Sequence, residues 1–197
     1  GTEVADWLNS LGVAAVVVKY RVPTGNQPVR WLAPVQDAQR AISLTRQHAS
    51  DWGVKSDHVA VLGFSAGGET AGRTAVAVDR KYEAIDKADE FSCRPDAAAL
   101  IYPAGMLNAD RTGLADDVVV DDGTPPMFIV HAFDDRVPPE CSLQMMLALK
   151  KAGVASELHL YNTGGHGYGL RPVDNVPVTT WADRCAAWLR QMDWVQQ

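Results

Sequence analysis

The feature that most constrains this chain is a serine set between two glycines, GFSAG at residues 63–67. An apolar run at 59–62 comes directly before it, and a helix-compatible stretch follows at 69–78. This order predicts a sharp strand-to-helix turn that lifts the Ser65 hydroxyl clear of a sheet and aims backbone N–H groups beside it. The serine is expected in a strained backbone conformation. A Cβ at either flanking glycine is expected to collide with the neighbouring strand or helix.

Length and charge bound the class of protein. With 197 residues, 47% of them hydrophobic, the chain can bury a full core, and one domain over residues 1–197 is expected. A net charge of −6 without a basic cluster argues against nucleic acid or an anionic membrane as a partner. The longest apolar stretch, 13–18, is too short to span a bilayer, and no signal segment opens the chain. The compartment, cytoplasmic or exported, stays open.

The cysteines predict neither a metal motif nor a disulfide framework. Cys93, Cys141 and Cys185 are odd in number and widely spaced. Small buried thiols are the favoured interpretation, with one disulfide as the alternative.

Strands and helices alternate along the chain. Short strands that are apolar along their whole length, separated by helices, predict a parallel sheet covered on both faces. We therefore expect a doubly wound, mostly parallel α/β domain of about five strands. The predicted strands are 13–20, 59–64, 97–102, 127–131 and 157–161, and the predicted helices lie near 4–11, 35–49, 69–78, 143–150 and 181–192.

Ser65 needs a base, because a hydroxyl is a weak nucleophile until its proton is removed. Among five histidines, His48, His58 and His159 are interpreted as structural or surface residues, and His131 as a possible lining residue at a strand end. His166 lies in a glycine-rich loop, NTGGHGYG, directly after the last strand. Chemistry gathers at the carboxyl ends of parallel strands, so His166 is the predicted base.

A carboxylate must then orient the imidazole. The candidates are Asp134 and Asp135, in a segment that follows the strand at 127–131. One of them should face His166 and the other should point away, and periodicity does not choose between them. A further acidic cluster, at 116–117 and 121–122, lies in a polar loop and is interpreted as a solvated patch.

Five segments carry a resemblance to a known family: GFSAGG, RPDAAALIYPA, PPMFIVHAFDDRVPPECS, ALKKAGVASELHLYNTGGHGYGL and TTWADRCAAWL. They resemble the bacterial esterase/lipase-like α/β-hydrolases related to acetyl xylan and feruloyl esterases. The order serine, acid, histidine is the order of the α/β-hydrolase fold. In similar sequences the acid segment runs His-Ala-x-x-Asp-x-Val-x-Pro-x-x-Ser, which places the acid at Asp135; a broader pattern of the fold, Asp-x-x-Val, would favour Asp134.

The resemblance implies a serine carboxylesterase that hydrolyses short acyl esters, often acetyl groups on plant polysaccharides, without a metal or cofactor. It implies that the N–H of Ala66 is one oxyanion donor. The second comes from an earlier His-Gly-Gly loop in this fold, and no such loop is found in residues 1–197. We therefore expect an N-terminally incomplete domain with an unpaired sheet edge, which favours homo-oligomers.

Two alternative functions are consistent with the same residues. A low-activity or vestigial hydrolase or binding domain would retain the serine turn while lacking half of the oxyanion hole. A serine peptidase of the same fold would use the same residues, but such enzymes typically carry a large additional domain. The expected substrate pocket is formed by loops at 20–31, 102–122 and 166–178, with lining residues Trp31, Tyr102, Met106 and Tyr168.

Overall fold

Within the part of the chain that the structure describes, four parallel strands form the central sheet, and they lie side by side in chain order. The computed structural model describes residues 1–22, 24–172 and 176–195. The strands are β1 (Ala60–Phe64), β2 (Ala97–Ile101), β3 (Met127–Ala132) and β4 (Glu157–Tyr161). The helices are α1 (Thr2–Ser10), α2 (Leu32–Gln47), α3 (Ala66–Val76), α4 (Glu140–Ala152) and α5 (Trp181–Gln191), with short 3₁₀ turns at Lys87–Glu90 and Pro177–Thr180.

The sheet is covered on both faces, which confirms the predicted doubly wound α/β class. Every residue of β2 and β3 is buried. Successive side chains of a strand point to opposite faces, so each strand contributes to two cores. Phe128 and Val130 pack with α1 and α5, whereas Met127 and Ile129 pack with α3 and α4.

The predicted strand at residues 13–20 is wrong. The segment carries no strand pairing, and Val16 and Val17 are more than half exposed. A cleft of about 640 Å³ lies between residues 13–18 and β1. A strand needs a neighbouring strand within hydrogen-bonding distance, and the cleft keeps residues 13–18 too far from β1 for backbone pairing. The residue that follows this segment is anchored instead to α2, where the backbone N–H and side chain of Arg21 both bind Asp37.

The remaining predicted elements are confirmed in kind. The other four strands and all five helices are present, with ends that differ by a few residues. Gly153 ends α4 in the left-handed conformation at φ 78°. Cys93, Cys141 and Cys185 are buried and free, as the favoured interpretation expected. In the described ranges, none of the helices combines the length and the apolar character that crossing a bilayer requires.

Candidate active site

Ser65 lies at the junction between β1 and α3, in the strained conformation that the sequence predicts. Its φ of 54° and ψ of −116° are unusual for a residue with a Cβ. The turn is fixed to the neighbouring strand: the N–H of Ser65 donates to the Ile101 carbonyl at 3.0 Å, and Ala104 N–H donates to the Ser65 carbonyl at 3.2 Å. The strain is thus held by hydrogen bonds on both sides of the serine.

The two glycines of the pattern differ in their steric role. A Cβ at Gly63 would lie 2.0 Å from the Gly67 carbonyl oxygen, so no side chain fits there. A Cβ at Gly67 would meet nothing closer than the Tyr20 hydroxyl at 3.7 Å, so the expected collision at this position is wrong. The second crowded position is Gly68, whose Cβ would lie 2.9 Å from Pro103 Cα. The close approach of α3 to the loop after β2 explains this constraint.

The loop after β4 brings His166 to Ser65. The Ser65 Oγ lies 2.9 Å from His166 Nε2. Gly165 and Gly167 flank the histidine with φ of 60° and 84°, a left-handed conformation that favours glycine. The imidazole packs edge-on against the Tyr102 ring at a centroid distance of 4.8 Å. The glycines therefore allow the turn, and the tyrosine limits the rotation of the ring.

Asp135 is the aspartate that contacts His166. Its Oδ2 lies 2.8 Å from His166 Nδ1, and its Oδ1 accepts from the Val137 N–H at 2.8 Å. Because a carboxylate only accepts hydrogen bonds, His166 Nδ1 is the donor. The neutral imidazole then presents a lone pair at Nε2 to the Ser65 hydroxyl, which is the tautomer that a general base needs.

Asp134 points away from the imidazole and fixes the loop that carries it. Its two oxygens accept from the Gly165 N–H at 2.8 Å and from the Thr163 hydroxyl at 2.7 Å. These donors, the Gly165 N–H first, lower the pKa of Asp134 below its usual value. The two adjacent aspartates thus contact different parts of the same segment: Asp135 contacts the imidazole ring, and Asp134 contacts the Gly165 backbone and the Thr163 side chain.

Ala66 is the first residue of α3, and it is exposed. The first four N–H groups of a helix have no acceptor within the helix, and the helix dipole places partial positive charge there. The Ala66 N–H is therefore chemically suited to an oxyanion that forms beside Ser65.

The predicted lining residues fall into two groups. Tyr102 and Tyr168 lie beside the site, with their rings 4.5 Å apart. Met106 is fully buried against α3, and Trp31 stacks on the Arg73 guanidinium at 4.6 Å. Met106 is therefore a core residue. Two of the predicted lining loops include Pro23 and residues 173–175, which lie outside the described part of the chain.

The other histidines have their own partners. His48, His58 and His159 contact Asp51, Asp57 and Glu157, away from Ser65, in agreement with a structural or surface role. His131 is fully buried directly behind Asp135, and its Nδ1 lies 2.8 Å from the Ser142 hydroxyl. The sequence interpretation treated His131 only as a possible lining residue. The contact with Ser142 joins β3 to α4, so no pattern within one segment of the sequence indicates it.

Family models match most of the chain. A model described as alpha/beta hydrolase fold matches residues 4–121, and a model of the prolyl oligopeptidase family matches residues 111–192. An acetylxylan esterase of Xylanibacter ruminicola is 28% identical over an alignment 194 residues long, and the alignment covers 86% of this chain. The chain spans only 37% of the length of that relative.

Solved structures of esterases share the fold. The acetyl ester-xyloside bifunctional hydrolase from Caldicellulosiruptor lactoaceticus superposes with a TM-score of 0.84 at 34% identity, over 98% of this chain and 77% of that one. Esterase 2 of Thermogutta terrifontis, phosphorylated by paraoxon, has a TM-score of 0.84 at 27% identity, over 99% of this chain and 76% of that one. The same esterase has also been solved with propionate bound. Because the first family model covers more than half of the residues, this chain belongs to the alpha/beta hydrolase fold family.

Proposed function

We propose that this chain is a serine carboxylesterase that hydrolyses short-chain acyl esters through an acyl-serine intermediate. The observation that carries the proposal is one continuous chain of contacts, from Ser65 Oγ to His166 Nε2 at 2.9 Å and from His166 Nδ1 to Asp135 Oδ2 at 2.8 Å. A nucleophile, a base and an orienting acid in this relation are the requirements of acyl transfer.

In the first half of the reaction, Ser65 Oγ attacks the ester carbonyl while His166 Nε2 takes its proton. The carbonyl oxygen becomes an oxyanion, and the Ala66 N–H donates to it. Asp135 holds the imidazolium through Nδ1 and stabilises its charge. The intermediate collapses when His166 returns the proton to the leaving alcohol, which leaves the acyl group on Ser65.

In the second half, water replaces the alcohol. His166 removes a proton from the water as its oxygen attacks the acyl carbon, and the same N–H group stabilises the second oxyanion. The C–O bond to Ser65 then breaks, the hydroxyl regains its proton, and the carboxylic acid leaves. No cofactor takes part in this sequence of steps.

The substrate class we propose is acetyl and similarly small esters, including those on plant polysaccharides. Two relatives carry names that specify acetylxylan or acetyl ester-xyloside hydrolysis, and one solved esterase holds propionate. On this side of the sheet, Tyr102 and Tyr168 pack against each other close to His166. Bulky buried rings beside the base favour a small acyl group.

Hydrolysis of p-nitrophenyl acetate, butyrate and octanoate tests the proposal. We expect the acetate to be hydrolysed fastest and Ser65→Ala to lower kcat by about 10³-fold or more, with the fold unchanged by circular dichroism. The matched control is Ser50→Ala, an exposed serine in the turn after α2, which should retain full activity. Equal rates from the parent and Ser65→Ala would contradict the proposal.

Covalent labelling gives a second test that does not depend on turnover. Paraoxon should phosphorylate Ser65 in the parent, and mass spectrometry of a digest should find the adduct on the peptide that contains residues 63–67. Neither Ser65→Ala nor His166→Ala should be labelled there. A labelled but catalytically silent chain would favour the vestigial-domain alternative.

A serine peptidase is the second candidate, because the prolyl oligopeptidase family model matches residues 111–192, which include Asp135 and His166. A comparison of p-nitrophenyl acetate with a prolyl p-nitroanilide peptide separates the two activities. We expect the ester to be the better substrate by kcat/KM. Faster release of p-nitroaniline from the peptide would reverse the assignment.

A further inference from the structure

His131 is a buried histidine that the proposed reaction does not use. It lies near the carboxyl end of β3, four residues before Asp135, and its side chain is completely shielded from solvent. Its two ring nitrogens face two different groups: Nδ1 lies 2.8 Å from the Ser142 Oγ of α4, and Nε2 lies 3.4 Å from Asp135 Oδ2. The contact with Asp135 is a close approach that does not reach hydrogen-bond geometry, so Nε2 makes no hydrogen bond to any described residue.

The tautomer of His131 follows from these neighbours. A buried polar atom without a partner is costly. Apart from Ser142, the described groups beside the ring are the Asp135 carboxylate, 3.4 Å from Nε2, and the backbone of Val137, whose contact raises the pKa of the ring and is therefore with an acceptor. A carboxylate accepts and does not donate, and a lone pair on Nε2 would be repelled by Oδ2. The proton therefore belongs on Nε2. Nδ1 is then the acceptor, and the Ser142 hydroxyl is its donor.

The ring is also kept neutral. Burial lowers the pKa of His131 below its ordinary value, because an imidazolium here would lose its hydration. The charged groups that face the ring are the Asp135 carboxylate and His166 on the far side of that carboxylate. A neutral ring donates one hydrogen bond without competing with the imidazolium that His166 becomes during turnover.

We propose that His131 is a positioning residue of the active site. Fixed by the Ser142 hydroxyl, its Nε2–H faces Asp135 Oδ2 at 3.4 Å and closes to a hydrogen bond that holds that oxygen against His166. Together with the Val137 N–H on Oδ1, this bond leaves the carboxylate no free rotation. One chain of hydrogen-bonding groups thus leads from α4 to α3, through Ser142, His131, Asp135, His166 and Ser65. The effect on turnover rests on the proposed function, whereas the tautomer does not.

Nuclear magnetic resonance reads the tautomer directly. Long-range proton–nitrogen correlations of the ¹⁵N-histidine-labelled chain distinguish a protonated Nε2 from a protonated Nδ1, and His131→Gln identifies the signals. We expect His131 to be neutral with the proton on Nε2 at neutral pH. A proton on Nδ1, or a doubly protonated ring, would overturn the inference whether or not the chain is an esterase.

Kinetics test the positioning role. His131→Met keeps much of the volume but has no N–H, and kcat should fall about 10-fold or more with KM unchanged, as expected when a hydrogen bond to a charged group is lost. His131→Gln places an amide N–H near the same point and should restore kcat to within about 3-fold of the parent. Equal losses in the Met and Gln variants would show that the ring matters only for packing.

Ser142→Ala keeps His131 and provides a test when a His131 variant does not fold. It should lower kcat on its own but add nothing in the His131→Met background, because both changes break the same chain. Additive losses would contradict the inference.

If Ser65→Ala is inactive and a folded His131→Met is as active as the parent, the inference fails while the proposed function stands. If Ser65→Ala is fully active, the proposed function fails and the tautomer measurement still decides the inference.

Discussion

Residues 13–18 and strand β3 are both valine-containing apolar runs, but the structure treats them in opposite ways. Every side chain of β3 is fully buried, between two paired strands and under helices on both faces. In residues 13–18, Val16 and Val17 are 54% and 55% exposed and a cleft separates the segment from β1. The comparison teaches that an apolar run becomes a strand only where neighbours satisfy its backbone and cover its faces.

The loop that follows β3 carries Asp135, and substitution of this residue should cause the largest loss of activity. Asp135→Asn should lower kcat by about 10³- to 10⁴-fold, because an amide in place of the carboxylate favours the wrong imidazole tautomer. Steady-state hydrolysis of p-nitrophenyl acetate measures this. The matched control is Asp134→Asn, which keeps one acceptor oxygen for the His166 loop and should cost far less. A larger loss for Asp134→Asn would exchange the roles of the two aspartates.

The same substitution in the two apolar runs should differ strongly in its effect on stability. Val130→Ala removes two methyl groups from a fully buried site and should lower the free energy of unfolding by about 2 kcal/mol. Val16→Ala removes them from a half-exposed site and should cost less than about 0.5 kcal/mol. Urea denaturation of both variants measures the difference. Equal costs would show that residues 13–18 are packed in solution as tightly as β3.

The smallest expected effect is a change of the free energy of unfolding with pH. It comes from a buried thiol of the core, whereas residues 13–18 carry no ionisable side chain. An unfolded thiol ionises near its ordinary pKa of 9.0, whereas burial raises the pKa of Cys185 to about 12. The fold retains a proton that the unfolded chain releases. Stability is therefore complete below pH 9 and declines as the pH rises towards 12.

This thiol should account for a loss of about 1.4 kcal/mol in the free energy of unfolding between pH 8 and pH 10. The measurement is urea denaturation at both pH values for the parent and Cys185→Ala. The free energy of unfolding should change less between the two pH values in the alanine variant than in the parent. The cavity left by the substitution lowers stability equally at both pH values, so it does not affect this difference. An unchanged difference would mean that Cys185 ionises equally in both states.

Much of the site was predictable because its parts are local. The serine turn, the glycine-rich loop and the carboxyl-end placement of Ser65, His166 and the aspartate pair each follow from a short pattern beside an apolar run. The choice of Asp135 came from a family pattern, and the contact with His166 agrees with it.

Three features could not be predicted from local pattern. The expected strand at 13–20 failed because strand pairing depends on a neighbour that the segment itself does not specify. The glycine at 67 was expected to be crowded, but the crowded position is 68, where α3 meets Pro103 from another part of the chain. The pairing of His131 with Ser142 spans eleven residues and requires β3 to pack against α4.

The sequence by itself determined the alternation of buried strands and helices, the strained serine turn and the order of the chemical groups, because these depend on side-chain type and local backbone conformation. Only the tertiary structure decided which valines are buried and which hydroxyl fixes the ring of His131. Those outcomes depend on distances between segments far apart in the chain, and a hydrogen bond or a packed methyl group exists only when folding closes those distances to a few ångströms.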